Sequence, residues 1–224
     1  MAEEAICPVA LDQEKDLLVL AYEDERLVHL RGNPPDEGLY GRSDKIRDIL
    51  LLRDPFNTFA SRLHLRRQQP KNAFTKNFLL PDVEGNTLLP RRWKFLAQEF
   101  LGRTNHLANN KLVINFNRWT ADPKYRQQLC EALDVPFRDD HRDSVPAYGF
   151  GSSFDRRRFD QRGSSMKLTH RWELFRDDPQ YLSFFEDEEL WEYSRAIFGD
   201  LIDHDSIAST LNSREKQSRA LELA

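Results

Sequence analysis

Apolar and polar residues follow two different periods along this chain and predict strands that lead directly into helices. The unbroken apolar run at residues 49–52, ILLL, predicts a strand covered on both faces, as in a parallel sheet. Asp54 and Pro55 suit the N-cap and the first position of a helix, which we expect to begin at about Pro55. That helix has one apolar stripe with a 3.6-residue period, formed by Phe56, Phe59, Ala60 and Leu63.

Four further segments complete the predicted fold. Residues 111–137 again give a strand, a turn and a helix, and residues 17–24, LLVLAYED, give a strand that ends in acidic residues. Residues 88–107 predict a helix, and residues 169–199 predict two or three helices rich in core aromatics. The pattern therefore predicts an α/β protein with a parallel sheet flanked by helices and a helical C-terminal part.

Length and composition suit one domain. The chain has 224 residues, of which 39% are hydrophobic, and this is enough to fill a core. We predict an N-terminal segment at 1–16, an α/β domain at 17–204, and a polar tail at 205–224. The tail is either a frayed helix or an oligomer contact.

Charge, cysteines and histidines narrow the classes of function. The net charge of −4 gives no reason to expect non-specific nucleic-acid binding. Local arginine clusters could bind an anionic acceptor substrate. The alternative is that these clusters are solvated surface. Two cysteines and six histidines show no metal-ligand spacing, so we expect no metal. The acidic N-terminus lacks an apolar signal region, and no apolar stretch approaches about 18 residues. We expect a soluble, cytoplasmic protein with no membrane partner.

The strand-to-helix junction RDPFNTFAS, from Arg53 to Ser61, resembles the 3′-phosphate-binding segment of the sulfotransferases. These enzymes use 3′-phosphoadenosine 5′-phosphosulfate (PAPS) as sulfuryl donor, and their matching Arg and Ser hold the 3′-phosphate. A planar guanidinium and a serine hydroxyl suit that task. The resemblance implies a sulfotransferase-like, P-loop-related nucleotide-binding fold. The alternative is an ordinary junction whose Arg pairs with a carboxylate.

The segment at 111–137 resembles the strand of the same family that ends in an aromatic residue and is followed by Asp-Pro and a helix. Phe116 falls where the family has a Tyr against the adenine ring. Asn117 and Arg118 replace the acidic pair that usually follows. The alternative for Phe116 and Trp119 is core packing.

A Gly-rich turn, YGFGSSFD, is similar to the late loop that closes over the 3′-phosphate in this family. Gly149 and Gly151 would let backbone amides approach an anion, and Ser152 and Ser153 would add hydroxyl donors. The alternative is a surface connection without a ligand.

The resemblance also implies a catalytic base at the end of the strand at 17–24. Glu23 is the first candidate to take a proton from the acceptor, and His29 is the second. The alternatives are a solvated strand end for Glu23 and a loop residue for His29.

One part of the family pattern is missing. Sulfotransferases open with a Gly-rich loop that cradles the 5′-phosphosulfate, whereas the first glycine here is Gly32 and no GxxxxGK[ST] pattern occurs. An incomplete gene product, a partner chain that supplies the loop and a divergent protein without activity all remain open. We expect transfer from PAPS to a hydroxyl or amine of a glycan or small molecule, with a homo-oligomer as a further partner. The alternative is a non-catalytic or truncated binding module.

Overall fold

The computed structural model describes residues 17–22, 27, 43–70, 88–145 and 152–211. In chain order the elements are β1 (Ile49–Leu52), α1 (Pro55–Gln68), α2 (Leu88–Phe100), β2 (Leu112–Asn115), α3 (Phe116–Ala121), α4 (Pro123–Leu133), α5 (Pro179–Leu182) and α6 (Glu188–Phe198). Short 3-10 helices occupy Gly163–Ser165, Arg171–Phe175 and Ser183–Phe185, and residues 204–211 are helical. The predicted α/β class is confirmed.

The strands β1 and β2 pair in parallel to form a two-stranded sheet within the described residues. The register runs from Ile49 opposite Leu112 to Leu52 opposite Asn115. Since both strands end at the same edge, the residues that follow them lie side by side. This edge positions the candidate site.

At β1, one face of the sheet is buried and the other face is exposed. Leu50 and Leu52 are buried, but Ile49 is 45% and Leu51 is 55% exposed. The prediction of a strand covered on both faces is therefore wrong. An unbroken apolar run cannot reveal whether a second layer of helices exists, because that layer comes from elsewhere in the chain.

A second prediction fails at the start of the described chain. Residues 17–22 have no regular secondary structure, so the strand predicted over residues 17–24 is wrong for this part. Only Val19 and Tyr22 of these residues are of types that favour strands, and an apolar run forms a strand only where a neighbouring strand pairs with it.

The helix α1 begins as predicted. The Asp54 side chain accepts a hydrogen bond from the Asn57 backbone N–H, and Pro55 occupies the first turn. The whole predicted stripe is buried, and the Phe56 ring stacks on Phe185 with centroids 5.2 Å apart. Local capping chemistry therefore fixes where this element starts.

The main core joins α1 and α2 to the C-terminal helices. Trp93 from α2 and Phe198 from α6 belong to this core, and so do Ile207 and Leu211. The core thus includes side chains of the helical residues 204–211. None of the helices in the described ranges has the length and apolar character needed to cross a membrane.

Two element ends differ from the sequence prediction. The strand β2 stops at Asn115, whose side chain accepts from the Arg118 N–H at 3.1 Å, so Phe116 opens α3 instead of closing the strand. The helix α2 ends at Phe100, ahead of residue 107. Gly102 follows it with a φ of 72°, a conformation that ends helices and favours glycine.

Candidate functional site

Arg53 lies immediately after β1, at the edge where the two strands end. Its backbone carbonyl accepts a hydrogen bond from Trp93 Nε1 at 2.8 Å. Its guanidinium donates through Nη2 to the Leu168 carbonyl, and its Cζ lies 5.3 Å from the centroid of the Phe116 ring. The guanidinium is therefore held between residue 168 and α3.

The Arg53 guanidinium has a hydrogen-bond donor, Nε–H, that an anion could accept from. Its Nε is buried, and no acceptor for it occurs in the described part of the chain. Burial lowers the pKa of Arg53, and the nearby Arg171 and Arg62 lower it further, while Asp54 opposes them. A bound anion would stabilise the charged guanidinium, which offsets the cost of its burial and the repulsion from the two arginines.

Two serines distant in sequence meet beside α1. Ser61 Oγ on α1 lies 2.7 Å from Ser153 Oγ, although the two residues are 92 positions apart. These are members of two of the segments predicted to hold a phosphate. The structure therefore brings those two segments together at their hydroxyl groups.

The Ser152 side chain forms hydrogen bonds within its own turn. Its Oγ accepts hydrogen bonds from the N–H groups of Phe154 at 3.2 Å and Asp155 at 3.3 Å. Its backbone pairs with that of Arg156 in both directions. The hydroxyl thus stabilises the turn that presents Ser153. The candidates Gly149, Gly151, Glu23 and His29 lie outside the described residues.

Phe116 and Trp119 lie on the surface of α3, next to the end of β1. Their rings are stacked with centroids 6.0 Å apart, and Trp119 is 41% exposed. Neither is a member of the buried clusters formed by the residues that the structure describes. The Phe116 ring is half-buried and lies beside the Arg53 guanidinium.

A buried polar network, which sequence reasoning missed, supports this edge. Asp54 is fully buried and accepts from Asn57 Nδ2 at 2.9 Å and from Asn117 Nδ2 at 2.9 Å. It thereby connects the start of α1 to α3. The signal available in the sequence was an Asn three positions after an N-cap Asp.

Asn57 extends this network to residues 168–172. Its Oδ1 accepts from the Arg171 N–H at 2.8 Å, and its Nδ2 donates to the Thr169 carbonyl at 3.1 Å. The same short segment carries Leu168, whose carbonyl binds Arg53. Asn57 is therefore a positioning residue for the Arg53 guanidinium.

The turn that carries Ser153 is fixed to α1 by aromatic and ionic contacts. Arg171 pairs with Asp155 and lies over the Phe154 ring, with Cζ 4.8 Å from its centroid. The His64 ring on α1 stacks on the Phe154 ring of that turn, with the two centroids 4.1 Å apart. Burial lowers the pKa of His64, and Arg156 and Arg171 lower it further.

A cavity of about 580 Å³ lies away from this site, between β2 and the end of α6. Val113, Asn115, Arg118 and Arg195 contribute to its lining, and none of the predicted site residues that the structure describes does. Arg118 already pairs there with Asp200. The cavity is therefore lined by residues other than Arg53, Ser61 and Ser153.

Metal ligands are a further kind of site. No group of three His, Cys, Asp or Glu side chains that could hold a metal occurs among the residues that the structure describes.

Searches against protein-family models, curated protein sequences and solved structures found no match to this chain.

Proposed function

We propose that this protein is a sulfotransferase-like, nucleotide-binding protein that transfers the sulfuryl group of PAPS to a hydroxyl or amine acceptor. The observation that carries the proposal is the 2.7 Å contact between Ser61 Oγ and Ser153 Oγ. It joins two segments, each of which resembles a phosphate-binding element of that family.

The chemistry around the contact suits the donor's 3′-phosphate. The Nε–H of Arg53, which has no acceptor among the described residues, and the two serine hydroxyls are donors, and phosphate oxygens are strong acceptors. The Phe116 ring lies beside the guanidinium and offers a surface for the adenine. Arg53, Ser61 and Ser153 would thus bind the phosphate and Phe116 the base, with Gly149, Gly151 and Ser152 completing the loop.

The proposed reaction is an in-line displacement at sulfur. The bond between sulfur and the donor's 5′-phosphate oxygen breaks as the acceptor oxygen or nitrogen bonds to sulfur, and adenosine 3′,5′-bisphosphate leaves. Glu23 takes the acceptor proton, with His29 as the alternative base. Fixed positive groups stabilise the charge that develops on the leaving group. The acceptor is a glycan or small molecule, and the reaction takes place in the cytoplasm without a metal.

A second candidate function is a non-catalytic module that keeps only the 3′-phosphate pocket. It is favoured by the sequence, which has no GxxxxGK[ST] pattern to cradle the 5′-phosphosulfate. Four missing charge-assisted hydrogen bonds at ~1.5–3 kcal/mol each would cost ~6–12 kcal/mol of donor binding. Such a module would bind the nucleotide through its 3′ side and transfer nothing.

Calorimetric titration with adenosine 3′,5′-bisphosphate tests the pocket without an acceptor. We expect saturable binding that weakens by about 30-fold or more in Arg53→Ala, because charge-assisted hydrogen bonds are lost. Ser61→Ala should weaken it by about 2- to 10-fold through the loss of one neutral hydrogen bond.

Two controls make this titration specific. Ser165→Ala removes an exposed hydroxyl that donates only to the Arg162 carbonyl, and it should bind like the wild type. Adenosine 5′-monophosphate lacks the 3′-phosphate and should not distinguish wild type from Arg53→Ala. A well-folded protein that binds no bisphosphate would refute both functions. Binding without transfer of radiolabelled sulfate to hydroxyl and amine acceptors would favour the module.

A further inference from the structure

A histidine is buried where the helical segment at 204–211 packs on the core. His204 is the first residue of this segment and is 5% exposed. Its ring centroid lies 5.8 Å from that of Phe56 and 6.5 Å from that of Trp191. Histidine is the side chain that ordinarily changes its charge between about pH 5 and 8. Its position against these aromatic rings therefore makes the packing of the segment sensitive to pH.

Both ring nitrogens of His204 have a hydrogen-bond partner. Nδ1 lies 3.0 Å from the Ile202 carbonyl oxygen, which can only accept, so Nδ1 carries a proton. Nε2 lies 2.9 Å from Ser194 Oγ on α6. In the neutral ring Nε2 is an acceptor, and the fully buried serine hydroxyl donates to it. The neutral form of His204 is thus fully hydrogen-bonded in this position.

A second proton on His204 would place a positive charge in the core. Burial is the main cause that lowers the pKa of His204, and Arg195 on α6 lowers it further. The Ile202 carbonyl, Asp54 before α1 and Asp205 on the histidine's own helix act in the opposite direction without outweighing burial. The packed arrangement therefore disfavours the charged ring.

The segment at 204–211 is held to the core by few side chains. Its buried members are His204, Ile207 and Leu211. Asp203 precedes the segment and accepts a hydrogen bond from the Ser206 N–H at 3.0 Å, so the first turn is capped by its own neighbour. A short segment with three buried side chains can open separately from the rest of a fold. Loss of one of these contacts is then enough to shift the balance between packed and open forms.

We infer that the helical segment at 204–211 is a pH-sensitive switch, which packs on the core while His204 is neutral and detaches when its ring is protonated. In the detached form the ring lies in water, where its charge is solvated. The detached form therefore binds the proton with the ordinary pKa of 6.5, and the packed form binds it less readily. The packed form is fully favoured above pH 6.5, and this advantage is lost as the pH falls below 6.5 toward the lower pKa of the packed form.

Detachment would act directly on the start of α1. The Phe56 ring would lose its contact with His204. Since Phe56 follows the Asp54–Pro55 cap, the opening would reach the first turn of this helix. The switch requires no ligand, so its test is independent of nucleotide binding.

Hydrogen exchange of the intact chain at several pH values measures the opening. After correction for the intrinsic pH dependence of exchange, the amides of residues 207–211 should exchange about 8-fold faster at about pH 5.5 than at about pH 7, because one proton binds the open form with a pKa of 6.5. At both pH values these amides should exchange faster than those of α1, whose stripe lies in the same core. Equal corrected rates in the two helices would mean that the segment leaves only with global unfolding, and the inference would be wrong.

Two variants assign the effect to one histidine. His204→Gln cannot be protonated, so its corrected rates at residues 207–211 should be the same at the two pH values. His141→Gln is the matched control, since the His141 side chain is 83% exposed, and it should keep the 8-fold rise. A rise that persists in His204→Gln would overturn the inference.

Nuclear magnetic resonance titration of the wild-type imidazole decides the question even if His204→Gln does not fold. We expect proton uptake by His204 below pH 6.5, together with the loss of protection at residues 207–211. A ring that takes up its proton at pH 6.5 or above while residues 207–211 stay protected would show that the charge is tolerated in the core, and the switch would be refuted.

Discussion

Asn57→Ala should lower the free energy of unfolding by about 3–5 kcal/mol. Asn57 is 2% exposed and satisfies the Arg171 N–H and the Thr169 carbonyl. Alanine would leave these two buried groups without a partner and would remove one of the hydrogen bonds that Asp54 accepts, and each unsatisfied group costs about 1–3 kcal/mol. Denaturant unfolding at neutral pH measures the change.

The same variant should also weaken nucleotide binding in the molecules that remain folded. Residues 168–172 would lose their hydrogen bonds to Asn57, so the Leu168 carbonyl would hold Arg53 less firmly. Asn57→Asp should be no better, because a carboxylate cannot donate to Thr169 and would face the buried Asp54. Titration with the bisphosphate reports this second effect.

Thr58→Ala is the control for this network. Thr58 is the next residue on α1, but its Oγ1 makes only a long contact of 3.5 Å with the Arg53 carbonyl. It should change stability by less than about 0.5 kcal/mol. A loss below about 1 kcal/mol in Asn57→Ala would show that residues 168–172 are held by other contacts.

The parts of the fold that depend on neighbouring residues could be predicted from the sequence. The start of α1 follows from Asp54 and Pro55, because a cap and a missing N–H act within one turn. The start of α4 follows in the same way from Asp122 and Pro123. Parallel pairing of β1 with β2 was also predictable, since a strand followed by a helix favours that topology.

The parts that depend on distant residues could not be predicted. Asn57 finds its partners at Thr169 and Arg171, over 100 positions away. The exposure of Leu51 depends on which elements fail to cover it, and its own strand carries no sign of this. Long-range geometry of this kind is absent from local periodicity.

The candidate site shows the same division. Arg53 and Ser61 belong to one strand-helix junction, and that junction was readable from the apolar run and the Asp-Pro cap. The contact of Ser61 with Ser153 was implied only by resemblance, because no local pattern joins α1 to a turn so far along the chain. The assignments of Glu23, His29, Gly149 and Gly151 stay predictions.

A second buried anchor lies between α2 and β2. Glu99 is fully buried and accepts from Thr104 Oγ1 at 2.6 Å and from the His106 N–H at 2.9 Å. It also accepts from the Leu107 N–H at 3.2 Å and from Lys111 Nζ at 2.6 Å. One carboxylate thus organises the whole connection from α2 to the strand that pairs with β1.

Acid should therefore weaken the fold through Glu99. Burial alone would raise the pKa of Glu99, but hydrogen bonds from His106, Lys111, Thr104 and Leu107 outweigh it and lower the pKa to about 2 from the ordinary 4.5. Because the folded state binds this proton less readily than the unfolded state, the stabilisation is complete above pH 4.5 and is lost as the pH falls toward 2. With allowance for the solvent around the loop, we expect a loss on the order of 2–3 kcal/mol.

Glu99→Gln isolates this contribution. The amide keeps the shape but has no charge for Lys111, so the variant should be less stable than the wild type at neutral pH by on the order of 2–3 kcal/mol. The gap between the two proteins should close as the pH falls from 4.5 to 2, and denaturant unfolding across this range measures it. Glu131→Gln, on the exposed surface of α4, should follow the wild-type profile. A constant gap for Glu99→Gln at every pH would mean that packing around the side chain, and not the carboxylate charge, holds the connection in place.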